Sequence, residues 1–372
     1  MRKFIGLVAV CVVLVALVIG CAPTPTPPGP TPPGPTPPGP TPPTITTIKI
    51  GGMAHWTGPY TETAVPINTA WQDYNYWWNK EVGKKIGVHI EHLMDDCRTD
   101  PTLISEIWMK YRDAGVVACT FTTSAETNIL IKELEKSQIP AVGSSCSWWA
   151  YIPTGWAFNG SRNQDAELFC FLKWLNSPEG EEHEKDKPWM KEGRKPSISY
   201  IGWDTAYGRS SIGVLYEYCR ENNWPWAGAE LLPYVFATAE APLKRLVANG
   251  ADYVMIAMCG ASPAVVYRDA YRLRFQERGI TVVGHHGGAT SGELPLAEEA
   301  GEAVTLSAFS TGQPEENFPA WIEMQKVHKE RTGKEYPFKE LYWDGYGMCA
   351  IEYEAIRILV ENMGTDPAKI TG

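Results

Sequence analysis

The sequence lacks the short motifs that mark the commonest enzyme sites. It has no Gly-x-Ser-x-Gly elbow for a serine nucleophile and no Walker loop for a nucleotide phosphate. Its nine cysteines form no Cys-x-x-Cys pair, and the charged stretch around His183 has no second histidine four residues away. Positive charge is scarce as well, since 33 Lys and Arg stand against 43 Asp and Glu, which argues against nucleic acid as a partner. We therefore expect no enzyme activity, no cofactor and no metal site.

The first 20 residues have the features of an export signal. Arg2 and Lys3 precede an apolar run over residues 4–19, which is too short for a transmembrane helix. Gly20 and Cys21 follow with the spacing at which bacterial lipoproteins are cleaved and acylated. We interpret residues 1–20 as a lipoprotein signal peptide and Cys21 as the lipid attachment site, with an uncleaved anchor as the alternative. Both place the folded part outside the cytoplasm, in the periplasm or on the cell surface.

Residues 21–44 contain little besides Pro, Thr and Gly. The unit Thr-Pro-Pro-Gly-Pro starts at Thr26, Thr31 and Thr36, so glycine recurs at every fifth position and not at every third, as collagen needs. Such a segment favours polyproline II, at about 3.1 Å per residue. It predicts a semi-rigid tether between the lipid and the folded part.

Strand-like and helical segments alternate from residue 45 onwards. Strands are predicted over residues 48–54, 88–94, 116–121 and 139–142, with helices over 63–81, 101–113 and 125–137. After a charged stretch the pattern repeats, with strands over 197–202, 230–236, 253–258 and 281–284 and helices over 209–222, 239–249 and 262–278. This alternation predicts an α/β fold with two doubly wound parallel-sheet lobes joined by a hinge. A ligand site is expected between the lobes, at the carboxyl ends of the strands.

Seven cysteines remain when Cys11 and Cys21 are set aside. An odd number outside the cytoplasm requires at least one thiol without a disulfide partner in the chain. A single bridge between Cys97 and Cys119 stays open.

Several short motifs occur in an order that resembles a known family. They are Ile48-Lys49-Ile50-Gly51, Thr57-Gly58-Pro59-Tyr60, Asp95-Asp96, Asp100-Pro101, Ile139-Pro140, Gly143-Ser144-Ser145, Ala206-Tyr207-Gly208 and Gly301-Glu302-Ala303-Val304. None is diagnostic alone, but their order resembles the type I periplasmic binding proteins, and among them the branched-chain amino acid (Leu/Ile/Val) receptors of ABC transporters. The resemblance implies a solute-binding protein of an ABC uptake system that captures a small solute and delivers it to a permease in the inner membrane.

The same resemblance implies where the lobes begin and end. Lobe 1 is expected to comprise residues 45–158 and 303–345, lobe 2 residues 159–302, and residues 346–372 a C-terminal helix. Members of the family continue for some tens of residues beyond such a helix. The chain, which stops at Gly372, is therefore expected to lack the family's tail.

The resemblance assigns ligand contacts to two hydroxyl-rich turns of lobe 1. One turn contains Thr122, Thr123 and Ser124, and the other contains Ser144, Ser145 and Ser147, of which Ser145 and Ser147 are assigned to the ligand. Hydroxyls and backbone N–H groups at helix N-termini can hold a carboxylate without a basic side chain. The alternative is helix capping, in which Ser124 only starts the helix that follows.

In lobe 2 the resemblance places Tyr207 and His286 at the ligand. His286 stands where amino-acid receptors of this family often carry the acidic residue that binds the α-amino group, so ordinary branched-chain amino acids are not expected to be the ligand. Gly260, Ala261 and Ser262 stand where a bulky aromatic residue is common, so a roomier pocket with Ser262 at its wall is expected. A carboxylate with an aromatic or extended body fits both departures.

Aromatic residues gather in the same loops. Trp56 and Tyr60 are assigned to the ligand, and the same group includes Trp148, Trp149, Trp203, Tyr342 and Trp343. Four further tryptophans stand at helical positions that favour core packing, namely Trp77, Trp78, Trp174 and Trp321.

Two other functions stay open. A ligand-sensing lobe that reports to a signalling partner would have the same fold, although the lipid anchor favours delivery to a permease. A hydrolase or metal enzyme would use His285 and His286. Adjacent residues of an extended chain point in opposite directions, however, so one imidazole is expected to face the cleft and the other to pack behind it.

Overall fold

The computed structural model describes residues 45–58, 60–144, 147–153, 155–289, 294–307, 317–336 and 341–372. The predicted signal peptide, the tether with Cys21, and Ser145 lie outside these ranges. None of the helices within them is long and apolar enough to cross a membrane.

Lobe 1 is built around a five-stranded sheet. Its strands are β1 (Thr46–Ala54), β2 (Val88–Asp96), β3 (Ala118–Phe121), β4 (Ala141–Gly143) and β5 (Ala157–Asn159). They lie in the order β2-β1-β3-β4-β5, and every neighbouring pair is parallel. The helices between them are α1 (Thr61–Trp78), which runs on through a π-helical turn (Asn79–Gly83) into Lys84–Ile86, then α2 (Pro101–Ala114) and α3 (Ser124–Ser137). Apolar clusters flank this sheet, as parallel strands require.

Lobe 2 repeats the plan around a second five-stranded parallel sheet. Its strands are β6 (Ile198–Trp203), β7 (Trp226–Leu232), β8 (Tyr253–Ala257), β9 (Thr281–Gly284) and β10 (Thr305–Ser307), in the order β10-β9-β8-β6-β7. The main helices are α4 (Gln164–Leu175), α5 (Ala206–Glu221), α6 (Glu240–Ala248) and α7 (Ser262–Arg272). Short helices span Pro178–His183, Pro188–Lys191 and Glu299–Val304. The central strands β6 and β8 are buried along their whole length, so they read as continuous apolar runs.

The predicted α/β fold with two doubly wound parallel sheets is confirmed. Two details of the prediction are wrong. β7 lies at Trp226–Leu232 and not at 230–236, because the chain leaves the sheet after Leu232 and Val235 is 76% exposed. The boundary expected at 302/303 also falls too early, because β10 pairs with β9 and belongs to the sheet of lobe 2.

The chain ends with two helices that complete lobe 1. They are α8 (Pro319–Thr332) and α9 (Tyr342–Glu361), followed by a 3₁₀ turn at Pro367–Lys369. Met348, Cys349 and Tyr353 of α9 are fully buried and share one apolar cluster with Trp71 of α1. Gly345 permits this close packing, since a Cβ there would lie 2.3 Å from the carbonyl oxygen of Ile67.

The described cysteines are all free thiols. They are Cys97, Cys119, Cys170, Cys219, Cys259 and Cys349. The bridge between Cys97 and Cys119 that the sequence left open is therefore not formed in this structure.

Candidate functional site

A cleft between the lobes has the character of a small-molecule site. Its empty volume, counted together with the space open to solvent, is about 460 Å³. Lobe 1 contributes Tyr60, Thr99, Thr123, Ser124 and Ala125 to its wall, and lobe 2 contributes Trp203, Thr205, Ala206, Tyr207 and Tyr234. Among these residues hydroxyl and aromatic groups predominate, and none carries a formal charge at neutral pH.

Two helices from opposite lobes start at this cleft. Thr123 is the N-cap of α3, where its hydroxyl accepts the N–H of Ala125 at 3.1 Å and a capping box with Glu126 completes the turn. Thr205 is the N-cap of α5, where its hydroxyl accepts the N–H of Gly208 at 3.2 Å. The cap of α3 is thus Thr123 and not Ser124, and Thr123 both caps the helix and lines the cleft. The positive ends of both helices are directed at the same space.

Aromatic rings form the remaining wall. Trp203 and Tyr234 stack with ring centroids 4.3 Å apart and an interplanar angle of 15°. Tyr60 meets both edge-on, at 6.4 Å from Trp203 and 6.2 Å from Tyr234. Tyr60 extends from lobe 1 into the apolar core of lobe 2, so it ties the lobes together. The hydroxyl of Tyr234 is buried and has no hydrogen-bond partner among the described residues.

A second hollow lies on the other side of this stack. Gly260, Ala261 and Ser262 line it together with Glu62, Thr63 and the same Trp203 and Tyr234. Ser262 accepts a hydrogen bond from Nε1 of Trp203 at 3.3 Å. The small residues that predicted a roomier pocket therefore open a neighbouring space, while four aromatic rings line the cleft itself.

Some sequence-predicted residues support the cleft without lining it. Thr122 is fully buried and donates to the carbonyl oxygen of Met53 at 2.9 Å. Ser147 donates to the carbonyl oxygen of Ala206 at 3.1 Å, which is a direct hydrogen bond between the lobes. Trp56 packs against the core of lobe 1. The four tryptophans expected in the core do pack against apolar clusters.

Tyr207 connects the cleft to a buried polar cluster. Its hydroxyl lies 3.0 Å from Nε2 of His285 and 3.2 Å from the sulfur of Cys259. Burial, with the nearby Cys259, raises the pKa of Tyr207 well above its usual value, so the hydroxyl stays protonated. Burial also lowers the pKa of His285 to about 3, so this ring is neutral. The pair can orient a ligand by hydrogen bonds but carries no charge.

His286 lies in this cluster and not among the residues that line the cleft. Oε2 of Glu167 lies 2.8 Å from its Nδ1 and accepts its backbone N–H at 2.9 Å. Burial alone would raise the pKa of Glu167, but the hydrogen bond and charge of His286 lower it below its usual value. The carboxylate that pairs with His286 comes from α4, 119 residues away in the chain.

The expectation that His285 and His286 point in opposite directions is wrong. Their ring centroids lie 5.0 Å apart, and both rings are buried. The chain turns directly after β9, where the N–H of Gly288 donates to the carbonyl oxygen of His285 at 2.9 Å. The alternation of an extended strand does not apply to such a turn.

Among the polar and aromatic residues of the cleft, the structure adds three that the sequence did not single out. They are Thr99, Thr205 and Tyr234. Each follows the end of a parallel strand, which is the one signal that pointed to them. Tyr234 was missed because the predicted strand over 230–236 hid it inside the sheet.

Comparison with known proteins agrees with this architecture. A valine-bound branched-chain amino acid ABC transporter protein from Thermus thermophilus has a TM-score of 0.73 at 19% identity, covering 88% of this chain and 81% of that chain. A fatty acid ABC transporter substrate-binding protein from Thermomonospora curvata has a TM-score of 0.69 at 18% identity, with 86% and 78% covered. An ABC transporter solute-binding protein from Rhodopseudomonas palustris, in complex with 3,4-dihydroxybenzoic acid, has a TM-score of 0.65 at 14% identity, with 84% and 80% covered.

Comparison of the sequence alone gives one negative and one positive result. No protein with a curated description matches the chain. A family model described as periplasmic binding protein matches residues 47–366, which include both sheets and both C-terminal helices. The chain belongs to the periplasmic binding protein family.

Proposed function

We propose that this protein is the extracytoplasmic receptor of an ABC uptake system, and that its cleft captures a small carboxylate with a planar aromatic body. It binds this solute and hands it unchanged to a permease in the inner membrane. The observation that carries the proposal is the meeting of two helix N-termini beneath an aromatic wall, in a cleft whose lining has no charged side chain.

The carboxylate end is assigned to the start of α5. The hydroxyl of Thr205 accepts a hydrogen bond from the N–H of Gly208. The N–H groups of Ala206 and Tyr207, at the start of the helix, have no carbonyl partner within the helix. The first turn of α5 contains no acidic residue, whereas that of α3 contains Glu126. By this comparison of first turns we assign the anion to α5 and not to α3, where the sequence resemblance had assigned it.

The body of the solute is assigned to the aromatic wall. The face of the Trp203–Tyr234 pair and the ring of Tyr60 offer flat apolar surface. The unpartnered hydroxyl of Tyr234 can bond a polar substituent on a ring. Stacked or edge-on aromatic contacts are worth about 0.5–1.5 kcal/mol each beyond area burial.

The named ligands of the similar structures support a carboxylate. Valine and 3,4-dihydroxybenzoic acid are the solutes bound in two of them, and a third is named for fatty acids. These ligands differ in their bodies but share the carboxylate. For this chain the aromatic lining favours the benzoate type over a short aliphatic side chain.

The N-terminal segment supports attachment of this receptor to a membrane. Acylation of Cys21 would hold the folded part at the end of the proline-rich tether. Cys21→Ser should release the protein from the membrane fraction and leave a species without the added acyl mass. Unchanged membrane retention with unchanged mass would contradict the lipid anchor.

Calorimetry with matched ligands tests the choice of solute. Benzoate and 3,4-dihydroxybenzoate should bind ligand-free protein, benzamide should bind at least about tenfold more weakly because it lacks the charge, and leucine and valine should bind weakly. Equal affinity for benzoate and benzamide would refute the carboxylate, and micromolar leucine binding would refute the aromatic body.

Two threonine variants test where the carboxylate binds. Thr205→Val should weaken benzoate binding, because it removes a cleft hydroxyl and loosens the first turn of α5. Thr238→Val is the control, since Thr238 accepts the N–H of Glu240 and donates to Asp269 near the start of α6 without lining the cleft. The first change should cost about 1 kcal/mol of stability and the second at least as much, but only the first should change affinity.

A further inference from the structure

Three buried side chains of different chemistry meet in lobe 1. They are His55, Cys97 and Glu126, and each is fully buried. His55 follows β1, Cys97 follows β2, and Glu126 stands in the first turn of α3 after β3. The parallel sheet therefore brings them together at its carboxyl edge, immediately behind the wall of the cleft.

The separations of their ligand atoms are close to those around a tetrahedral ion. The sulfur of Cys97 lies 3.3 Å from Nε2 of His55 and 3.6 Å from Oε1 of Glu126. Zinc bonds of about 2.0–2.3 Å at tetrahedral angles place such atoms about 3.3–3.6 Å apart. The third separation, from Nε2 of His55 to Oε1 of Glu126, is 2.5 Å. Only the distance between Nε2 of His55 and Oε1 of Glu126 has to increase, by about 0.8 Å, to admit an ion.

Neighbouring groups hold these ligands in the required orientation. Nδ1 of His55 lies 3.1 Å from the hydroxyl of Thr99, so the ring can donate there and present an unprotonated Nε2 to an ion. Oε2 of Glu126 accepts the N–H of Thr123 at 3.1 Å, and it also contacts the hydroxyl of that residue, which leaves Oε1 as the ligand oxygen. This is the outer-sphere arrangement common around metal-binding histidine and carboxylate groups.

We propose that His55, Cys97 and Glu126 bind one divalent cation of the zinc class, with the fourth coordination position directed at the cleft. Thiolate, imidazole and carboxylate together favour zinc over calcium or magnesium, which prefer all-oxygen sites. Thr99 and Thr123 contact the ligands and also line the cleft, so the site lies directly behind the cleft wall. Binding displaces the thiol proton of Cys97 to solvent.

The charge balance gives the ion a role at the cleft. A thiolate and a carboxylate carry two negative charges, and the cation cancels both. The negative charge of Glu126 behind the start of α3 is thereby neutralised, so the helix end becomes available to an anionic solute. The metal site itself does not depend on the identity of that solute.

Cobalt substitution of the full chain tests the site directly. Chelator-treated protein titrated with Co²⁺ should bind one equivalent and show a thiolate-to-cobalt charge-transfer band together with the visible bands of tetrahedral cobalt. Zn²⁺ should displace it, and metal analysis should give one zinc per chain. Protein that binds no metal, or that binds cobalt without the thiolate band, would overturn the proposal and leave the three residues as a hydrogen-bonded cluster.

Variants assign the ligands. Cys97→Ser should abolish the thiolate band, and Glu126→Gln should weaken zinc binding by more than the roughly 10- to 100-fold expected for Thr99→Val, which changes only an outer-sphere group. Cys170→Ser, which removes an exposed thiol, should leave the spectrum unchanged. Circular dichroism of each variant separates ligand loss from misfolding. Full metal binding by folded Cys97→Ser, or its loss in His285→Ala instead, would place the ion in the lobe 2 cluster and refute the assignment.

Discussion

Replacement of Tyr234 by phenylalanine separates a ligand contact from a structural one. The hydroxyl of Tyr234 is buried at the cleft and has no partner among the described residues, yet its ring is fixed by stacking on Trp203. A buried polar group is normally hydrogen-bonded, so this hydroxyl is expected to find its partner on the solute. Phenylalanine keeps the stack and removes only the oxygen.

The two effects of this substitution have opposite signs. A hydrogen bond between neutral groups contributes about 0.5–1.5 kcal/mol, so the Kd of a ring-hydroxylated solute should rise by about 2- to 10-fold. Stability of the ligand-free protein should stay the same or increase by up to about 1 kcal/mol, because an unsatisfied hydroxyl is lost. Calorimetry with 3,4-dihydroxybenzoate and urea unfolding of the same sample measure both.

Tyr111→Phe is the matched control. Its hydroxyl donates to the carbonyl oxygen of Gly52 at 2.9 Å inside lobe 1, away from the cleft. This variant should lose about 1 kcal/mol of stability and keep its affinity. If Tyr234→Phe loses stability and binds normally, as expected of Tyr111→Phe, the hydroxyl has a structural partner and the assigned ligand position is wrong.

Three further predictions concern stability and closure. Burial lowers the pKa of both His92 and His285 from 6.5 to about 3, so each ring takes up a proton only on unfolding. As the pH drops below about 6.5, the free energy of unfolding should therefore decrease by about 1.4 kcal/mol per pH unit for each ring. His92→Gln should reduce that slope by one such increment in urea titrations. An unchanged slope would show that His92 is protonated in the native state. Gly345→Ala should destabilise the protein by about 1–3 kcal/mol, because the added Cβ meets backbone atoms. Gly213→Ala on α5, where the added Cβ meets open space, should stabilise it by about 0.5–1 kcal/mol. Equal shifts of the melting temperature would contradict the close packing at Gly345. Ser147→Ala removes a hydrogen bond between the lobes, so small-angle scattering should show a larger radius of gyration and calorimetry a weaker affinity; an unchanged profile would argue against a role in closure.

The alternation of strands and helices could be read from the sequence because its signals are local. Asp100 followed by Pro101 starts α2 by capping, and Gly115 ends it with φ of 73°, as such residues do in most proteins. The hydroxyl turn at Thr123 was likewise recognisable from its position before a helix. Local patterns therefore gave the lobes and one wall of the cleft.

The polar clusters could not be predicted because their members are distant in sequence. Glu167 reaches His286 across 119 residues, and Glu126 reaches His55 across 71. The sequence indicates Cys97 only as one half of a possible disulfide, since its spacing to histidine and glutamate forms no recognised motif. The order of strands in each sheet determines which loops are neighbours, and that order is a property of the folded chain.

The packing of α9 against α1 also determines the order in which the lobes can form. The chain of lobe 2 is continuous from α4 to β10, although Tyr60 of lobe 1 packs into its core. Lobe 1 contains the first strand of the described chain but depends on Met348, Cys349 and Tyr353 to complete its apolar cluster. A chain that emerges from its N-terminus, during synthesis or export, therefore holds lobe 1 incomplete until α9 has followed. Lobe 1 is therefore expected to become stable only when residues from both ends of the folded chain are present.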